Sequence, residues 1–247
     1  MEPIYRKTFT LSDMEVDCFG RLKLSNMLYL AQEVAGHHSE LLGAGYDTLA
    51  QKGIFWAVTR HRVQITRLPV RGETITVETW PMPTTRVAYP RSMVAFDAQG
   101  NELFRSISLW VLMDANSRSM VLPGKSGVDV VGQLTGMELD APKSLAPKGM
   151  TDSTLRTVTY SCLDRNGHMN NTKYLDWVDD LLPAALHKEK TAREFVICYL
   201  SEALEQQQIQ LDWNLSETGC LQVDAHREKT GVSQGKERIF TVQVLFE

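Results

Sequence analysis

Four cysteines in 247 residues, with no Cys-x-x-Cys pair, are too few for a disulfide-stapled scaffold; Cys18, Cys162, Cys198 and Cys220 are expected as reduced thiols. The six histidines include no His-Glu-x-x-His and no His/Cys cluster, so no metal site is expected; His37 and His38 are adjacent on a predicted helix and project in different directions. No apolar run approaches membrane-spanning length, and MEPIYRKTFTLSDMEVD lacks the apolar core of a signal peptide, which points to the cytoplasm. Positive charge is not in excess either. With 26 Lys and Arg against 30 Asp and Glu, the net charge is −4, which argues against nucleic acid or an anionic membrane as partner. What remains is an ordinary folded-protein composition, 43% hydrophobic and 23% charged, long enough to bury one large core or two smaller ones.

The chain states one pattern twice. Leu24, Met27, Leu28, Ala31, Val34, Ala35, Leu41 and Leu42 form a single stripe at helical spacing. Tyr174, Leu175, Val178, Leu181, Leu182, Ala185 and Leu186 repeat it, predicting a second long helix. IFWAVTRHRVQI, ETITVETW, RVAYPRSMVAF and ELFRSISLWVLMD read as strands after the first helix, with Gln99-Gly100-Asn101 as a hairpin turn. EFVICYLSEAL, QQIQLDWNL, CLQVDAHRE and ERIFTVQVLF follow the second. Each half also opens on a strand, residues 4–11 and 154–161. Between them, Ser117 to Asp152 is punctuated by Pro123, Gly124, Gly127, Gly132, Gly136, Pro142, Pro147 and Gly149, the composition of a linker. The expected organisation is a first domain over residues 1–122, a linker over 123–151 and a second domain over 152–247. The expected fold class is α+β, with a long helix on an antiparallel sheet in each half. Pairing of the halves predicts a pseudo-twofold protein with its ligand site near their junction.

The copies differ where polar residues gather. An offset of 147 pairs Asp17 with Asp164, Gly20 with Gly167 and Leu28 with Leu175, but sets Phe19 opposite Asn166 and Arg21 opposite His168. One reading is a working site in the second half, with a first half freed for binding. The other is a loop whose Asn170 or Asn171 simply caps a helix. Continuing the strand EFVICYLSEAL places Glu202 on the face of Val196, Cys198, Leu200 and Leu204, where a carboxylate must be paired, protonated or functional; the alternative is a strand-end glutamate turned to solvent. A second offset of 134, which matches Ile75 and Val77 to Ile209 and Leu211, sets Leu68 opposite Glu202.

Asp164-x-Asn166-x-His168-x-Asn170-Asn171, followed by Lys173-Tyr174 and Trp177, resembles the catalytic loop of the acyl-acyl-carrier-protein thioesterases of plants and bacteria. Those are tandem hotdog proteins, and the resemblance runs over essentially the whole chain. The family's acidic residue lies in a Tyr-x-x-Glu context, matched by Tyr199-Leu200-Ser201-Glu202. Plant members place a cysteine next, where this chain has Ala203, which argues against an obligatory cysteine nucleophile. Cys198 would lie about 13 Å from Glu202 along a strand.

The resemblance implies hydrolysis of a fatty acyl-carrier-protein thioester by activated water, with no cofactor or metal. Glu202 would act as base or orient the water with His168 and Asn166, and Asp164 would fix the loop and tune the imidazole. Amides at the helix start near Asn170 and Asn171 would hold the oxyanion. The acyl chain is expected near Met27, Leu28, Ala31, Val34 and Trp56. Residues 60–91 hold six arginines, Arg60, Arg62, Arg67, Arg71, Arg86 and Arg91, against Glu73 and Glu78, which makes this segment a candidate dock for an acidic carrier protein; ordinary solvated strand charges are the alternative. Other hotdog enzymes, a coenzyme A thioesterase or a dehydratase, and a non-catalytic acyl-binding module stay open, as does monomer against homodimer.

Overall fold

The computed structural model describes residues 3–228 and 235–247. It divides into two compact units, Met1–Pro142 and Lys143–Glu247. In the first, β1 (Tyr5–Thr10) leads to α1 (Leu24–Leu41) and the short α2 (Tyr46–Gln51). Then come β2 (Ile54–Ile65), β3 (Thr74–Pro81), β4 (Tyr89–Phe96), β5 (Glu102–Asp114), β6 (Met120–Val121) and the single turn α3 (Pro123–Ser126). The main sheet is antiparallel in the order β1-β3-β4-β5-β2, and β6 pairs with the far end of β5.

Side-chain period explains the layering. The stripe of α1 that carries Leu24, Met27, Leu28, Ala31, Val34 and Ala35 is buried, and the helix lies against β3 and β1, where Ile75 and Val77 are fully buried. Each such Leu or Val contributes about 1.5–3 kcal/mol by leaving water. Edge strand β1 shows every second residue to solvent, whereas β4, inside the sheet, is buried at seven of its eight positions. The β4–β5 hairpin forms as expected. Asp97 Oδ1 accepts the N–H groups of Gln99 (2.9 Å) and Asn101 (2.8 Å), and Gly100 takes φ +83°, which glycine adopts without steric cost.

The second unit runs β7 (Asp152–Thr157), a 3₁₀ turn at Tyr160–Cys162, α4 (Lys173–Asp179), α5 (Ala184–Glu189), β8 (Ala192–Tyr199), β9 (Gln208–Leu215), β10 (Cys220–Glu228) and β11 (Lys236–Phe246). Its sheet is antiparallel in the order β8-β11-β10-β9-β7. The expected second long helix does not form. Pro183, with ψ 151°, stands between α4 and α5; a proline in that frame has no amide to give and disfavours helix at the residue before it.

The Pro/Gly-rich stretch is held to the units it crosses. Pro81 carbonyl accepts Gln133 N–H (2.9 Å), Trp80 Nε1 donates to Glu138 Oε1 (2.9 Å) and Arg105 to the Met137 carbonyl (3.1 Å). In the second unit Thr151 N–H donates to the Trp213 carbonyl (3.1 Å).

Candidate active site

The polar loop is a pinched turn. Asp164 N–H donates to the His168 carbonyl (2.8 Å), Gly167 N–H donates back to Asp164 (3.1 Å), and Gly167 takes φ +79°. Asp164 Oδ1 accepts the amides of Asn166 (2.8 Å) and His168 (3.3 Å), so its carboxylate shapes the backbone. The side-chain bonds of Asp164 run to the backbone of its own loop and to Asn166. Asn166 is exposed, and its amide reaches Asp164 Oδ2 at 3.4 Å.

Glu202 sits beyond β8. That strand ends at Tyr199, because Leu200 and Ser201 both donate to the Ile239 carbonyl (2.8 and 3.1 Å), a bulge that turns the chain. Strand parity therefore does not apply to Glu202, and its side chain, 49% exposed, does not lie on a buried apolar face. The next residues lock onto the loop: Ala203 carbonyl accepts Met169 N–H (2.8 Å), and Leu204 bridges to His168. The result places His168 Nε2 3.4 Å from Glu202 Oε2. Imidazole and carboxylate at that distance can share and pass a proton taken from water.

Helix entry differs from expectation as well. Thr172, not an asparagine, is the N-cap of α4. Asn170 Oδ1 accepts both the N–H (3.0 Å) and the hydroxyl (2.9 Å) of Thr172, and Asn170 N–H is spent on the Cys162 carbonyl (2.8 Å). Asn170 thus organises the turn and offers no free amide. Among the described residues the N–H of Asn171 has no partner, while its carbonyl accepts the Tyr199 hydroxyl (2.9 Å).

A buried tyrosine, Tyr174, and a half-buried one, Tyr199, lie beside the loop. Tyr174 packs on Phe240 (4.7 Å) and Tyr199 (5.7 Å). Burial above all, with the Glu202 charge adding to it, pushes the Tyr174 phenol up; burial does the same to Tyr199, so both stay neutral. The sequence shows Tyr174 and Tyr199 only as members of the loop and Tyr-x-x-Glu motifs; their packing on each other and the Tyr199 bond to Asn171 emerge in the fold. Cys198 is buried and donates to the Lys143 carbonyl (3.9 Å), Cys162 bonds Thr159, and neither thiol bonds His168 or Glu202.

The first unit repeats the backbone bonds of this junction and the aspartate that shapes its turn. Asp17 Oδ1 accepts the amides of Phe19 and Arg21 (both 2.9 Å), Gly20 takes φ +76°, and Leu22 N–H donates to the Pro69 carbonyl (2.8 Å) as Met169 does to Ala203. Thr66 and Arg67 both donate to the Leu103 carbonyl, matching Leu200 and Ser201 on Ile239. Both offsets, 147 and 134, therefore hold in the backbone. At the positions of His168 and Glu202 stand Arg21, ion-paired to Asp17 (2.8 Å), and Leu68. One copy keeps the frame without the chemistry.

The other candidates divide. Met27, Leu28, Ala31 and Val34 form the buried face of α1. Trp56 instead joins a cluster with Leu49, Ile54, Tyr89 and Leu112 and donates to the Ala44 carbonyl (2.9 Å). Arg91 is not a docking residue: on buried β4 it donates to His38 Nδ1 (3.1 Å) and Thr79 Oγ1 (3.3 Å), and burial pulls its pKa down to about 10. Arg67 pairs with Glu73 (2.5 Å) and Arg71 with Asp13. Arg60 and Arg62 reach the carbonyls of Pro142 and Asp140, and Arg86 is exposed.

Comparison with known proteins covers both halves of the chain. The family model "Acyl-ACP thioesterase N-terminal domain" matches residues 2–122, and "Acyl-ACP thioesterase C-terminal domain" matches residues 147–240. The chain belongs to the acyl-ACP thioesterase family. A solved acyl-ACP thioesterase from Bacteroides thetaiotaomicron is similar at 25% identity and TM-score 0.84, over 99% of this chain and 98% of that one. The 12:0-ACP thioesterase from Umbellularia californica shares the fold at 20% identity and TM-score 0.81, over 100% and 98%. A chloroplastic palmitoyl-acyl carrier protein thioesterase of Arabidopsis thaliana is 24% identical over 81% of this chain and 52% of its own length. The chain spans about half the length of the curated acyl-ACP thioesterases it matches. Like its family, it is a tandem hotdog, in which the Tyr199-to-Glu202 segment and the Asp164 turn meet at one end of the second sheet.

Proposed function

We propose that this chain hydrolyses fatty acyl-acyl-carrier-protein thioesters, releasing free fatty acid and the carrier protein's thiol. The observation that carries the reading is the His168–Glu202 pair at 3.4 Å, placed where the second copy departs from the first. Water attacks the thioester carbon and loses its proton to the Glu202/His168 pair. As the tetrahedral intermediate collapses, the C–S bond breaks and that proton passes to the departing thiolate. Asn171 N–H is the donor we assign to the oxyanion, a role in which one lost hydrogen bond typically costs 10²–10³ in rate. Asn166 and Asp164 hold the turn that presents His168. Ala203 in place of a cysteine, and the buried Cys198, favour water over a thiol nucleophile.

The partner is an acylated, acidic carrier protein. Arg60, Arg62 and Arg86 are the arginines we assign to its dock, with the acyl chain received by the first unit near Met27, Leu28, Ala31, Val34 and Trp56. Four free cysteines suit a reducing compartment such as the cytoplasm. The test is thiol release from matched acyl-carrier-protein and acyl-coenzyme A substrates at two ionic strengths. Multiple turnovers are expected, with lower KM for the carrier-protein substrate and a KM that rises with salt for that substrate. Preference for the coenzyme A thioester would make this an acyl-CoA thioesterase, and stoichiometric acyl binding without release would make it a binding module.

A further inference from the structure

Glu202 presents an orientation problem. Half of its side chain is in solvent, so burial alone does not select its rotamer, and the carboxylate can meet His168 only if the peptide that carries it is correctly placed. Its neighbours are fixed on both sides, Ser201 by the Ile239 carbonyl and Ala203 by Met169 N–H. The peptide of Glu202 itself is held from β10. Arg227 Nη1 donates to the Glu202 carbonyl (3.1 Å) and to Gln207 Oε1, which in turn accepts Leu204 N–H (2.9 Å). The remaining edge of the same guanidinium, Nε and Nη2, engages Glu237 on β11 at 3.0 and 2.9 Å. A planar five-donor fork can make all these contacts at once; an ammonium cannot.

The first unit shows what is particular about this brace. There Glu73 Oε2 accepts Val70 N–H (2.9 Å), as Gln207 does for Leu204, and its counter-charge is Arg67 from the same loop. The position equivalent to Arg67 is Ser201, and the carboxylate has become the Gln207 amide. Arg67 Nη1 also donates to the Leu68 carbonyl (3.4 Å), the counterpart of the Glu202 carbonyl, so the first copy braces the same peptide from within its own loop. The second takes its arginine from β10, holds the peptide at 3.1 Å and has a neutral amide where the first has a carboxylate. We propose that Arg227 is a positioning residue for the hydrolytic site, fixing the Glu202 peptide so that its carboxylate meets His168.

This inference rests on the reading of Glu202 and His168 given above, and a double-mutant cycle separates the two. Thiol release from acyl-carrier protein would be measured for wild type, Arg227→Gln, Glu202→Gln and the double variant, with thermal unfolding of each. Arg227→Gln is expected to lower kcat roughly 10- to 100-fold with little change in KM, since a misplacement of about 1 Å can cost two orders of magnitude. The double variant is expected to be no slower than Glu202→Gln alone, because Arg227 acts through Glu202. Unchanged kcat in Arg227→Gln, or its full loss repeated on top of Glu202→Gln, would overturn the inference while leaving the site reading intact. Full activity in Glu202→Gln would overturn both. Should Arg227→Gln not fold, Arg227→Lys, which retains a charge for Glu237 without the fork, is read by the same outcomes.

Discussion

His61 is a buried histidine outside the site whose behaviour follows from its surroundings. Its Nε2 lies 3.2 Å from Ser106 Oγ, it is 2% exposed, and burial lowers its pKa to about 3. In the unfolded chain the same imidazole titrates near 6.5. Between those values the unfolded state binds a proton that the folded state refuses, so stability is full above pH 6.5 and is lost as pH falls toward 3, by at most about 1.4 kcal/mol per unit. His61→Gln retains a hydrogen-bonding group but not the titration. Its unfolding midpoint should fall less steeply than wild type's between pH 6.5 and 4.5; parallel curves would show that His61 is not the group responsible. Nothing local in the sequence marks His61 as buried, since the alternation Arg60-His61-Arg62-Val63 only reveals its facing once the sheet is assembled.

At the scale of elements, the duplicated turn separates architecture from chemistry. Asp17 and Asp164 each accept two backbone amides of their own loop, and losing such an acceptor costs about 1–3 kcal/mol. Asp17→Ala and Asp164→Ala should both lower the unfolding midpoint, yet only Asp164→Ala should also lower kcat, because only its loop carries His168. Equal kcat losses would contradict the division of labour between the copies. Much of this level was legible in the sequence. β2, β5 and β10 have the boundaries their alternation predicts, and both offsets hold in the hydrogen bonds. Two errors share a cause. Helical spacing runs unbroken through Leu181, Leu182 and Ala185, and strand alternation through Leu200 and Glu202, so periodicity alone carried each element past its end. Pro183 and a shared carbonyl at Ile239 stop them, and only the first of these is visible in a sequence.

At the scale of the whole chain, a strand-helix-strand unit was doubled and one copy kept the polar set. The arginines assigned to docking thin out on inspection: Arg91 is interior, and Arg67 and Arg71 carry acidic partners. A count of charges along the chain cannot see such pairing, because Asp13 lies 58 positions from Arg71. The polar loop was legible for the opposite reason, its residues being consecutive, while Arg227 is distant in sequence and unmarked by any motif. The role proposed for His168 and Glu202 is to activate water in the second unit. Its most direct measurement is multiple-turnover thiol release from an acyl-carrier-protein thioester by folded wild type and Glu202→Gln. A fall of roughly 10²- to 10⁴-fold in kcat is expected for the variant. Near-wild-type turnover by Glu202→Gln would contradict it.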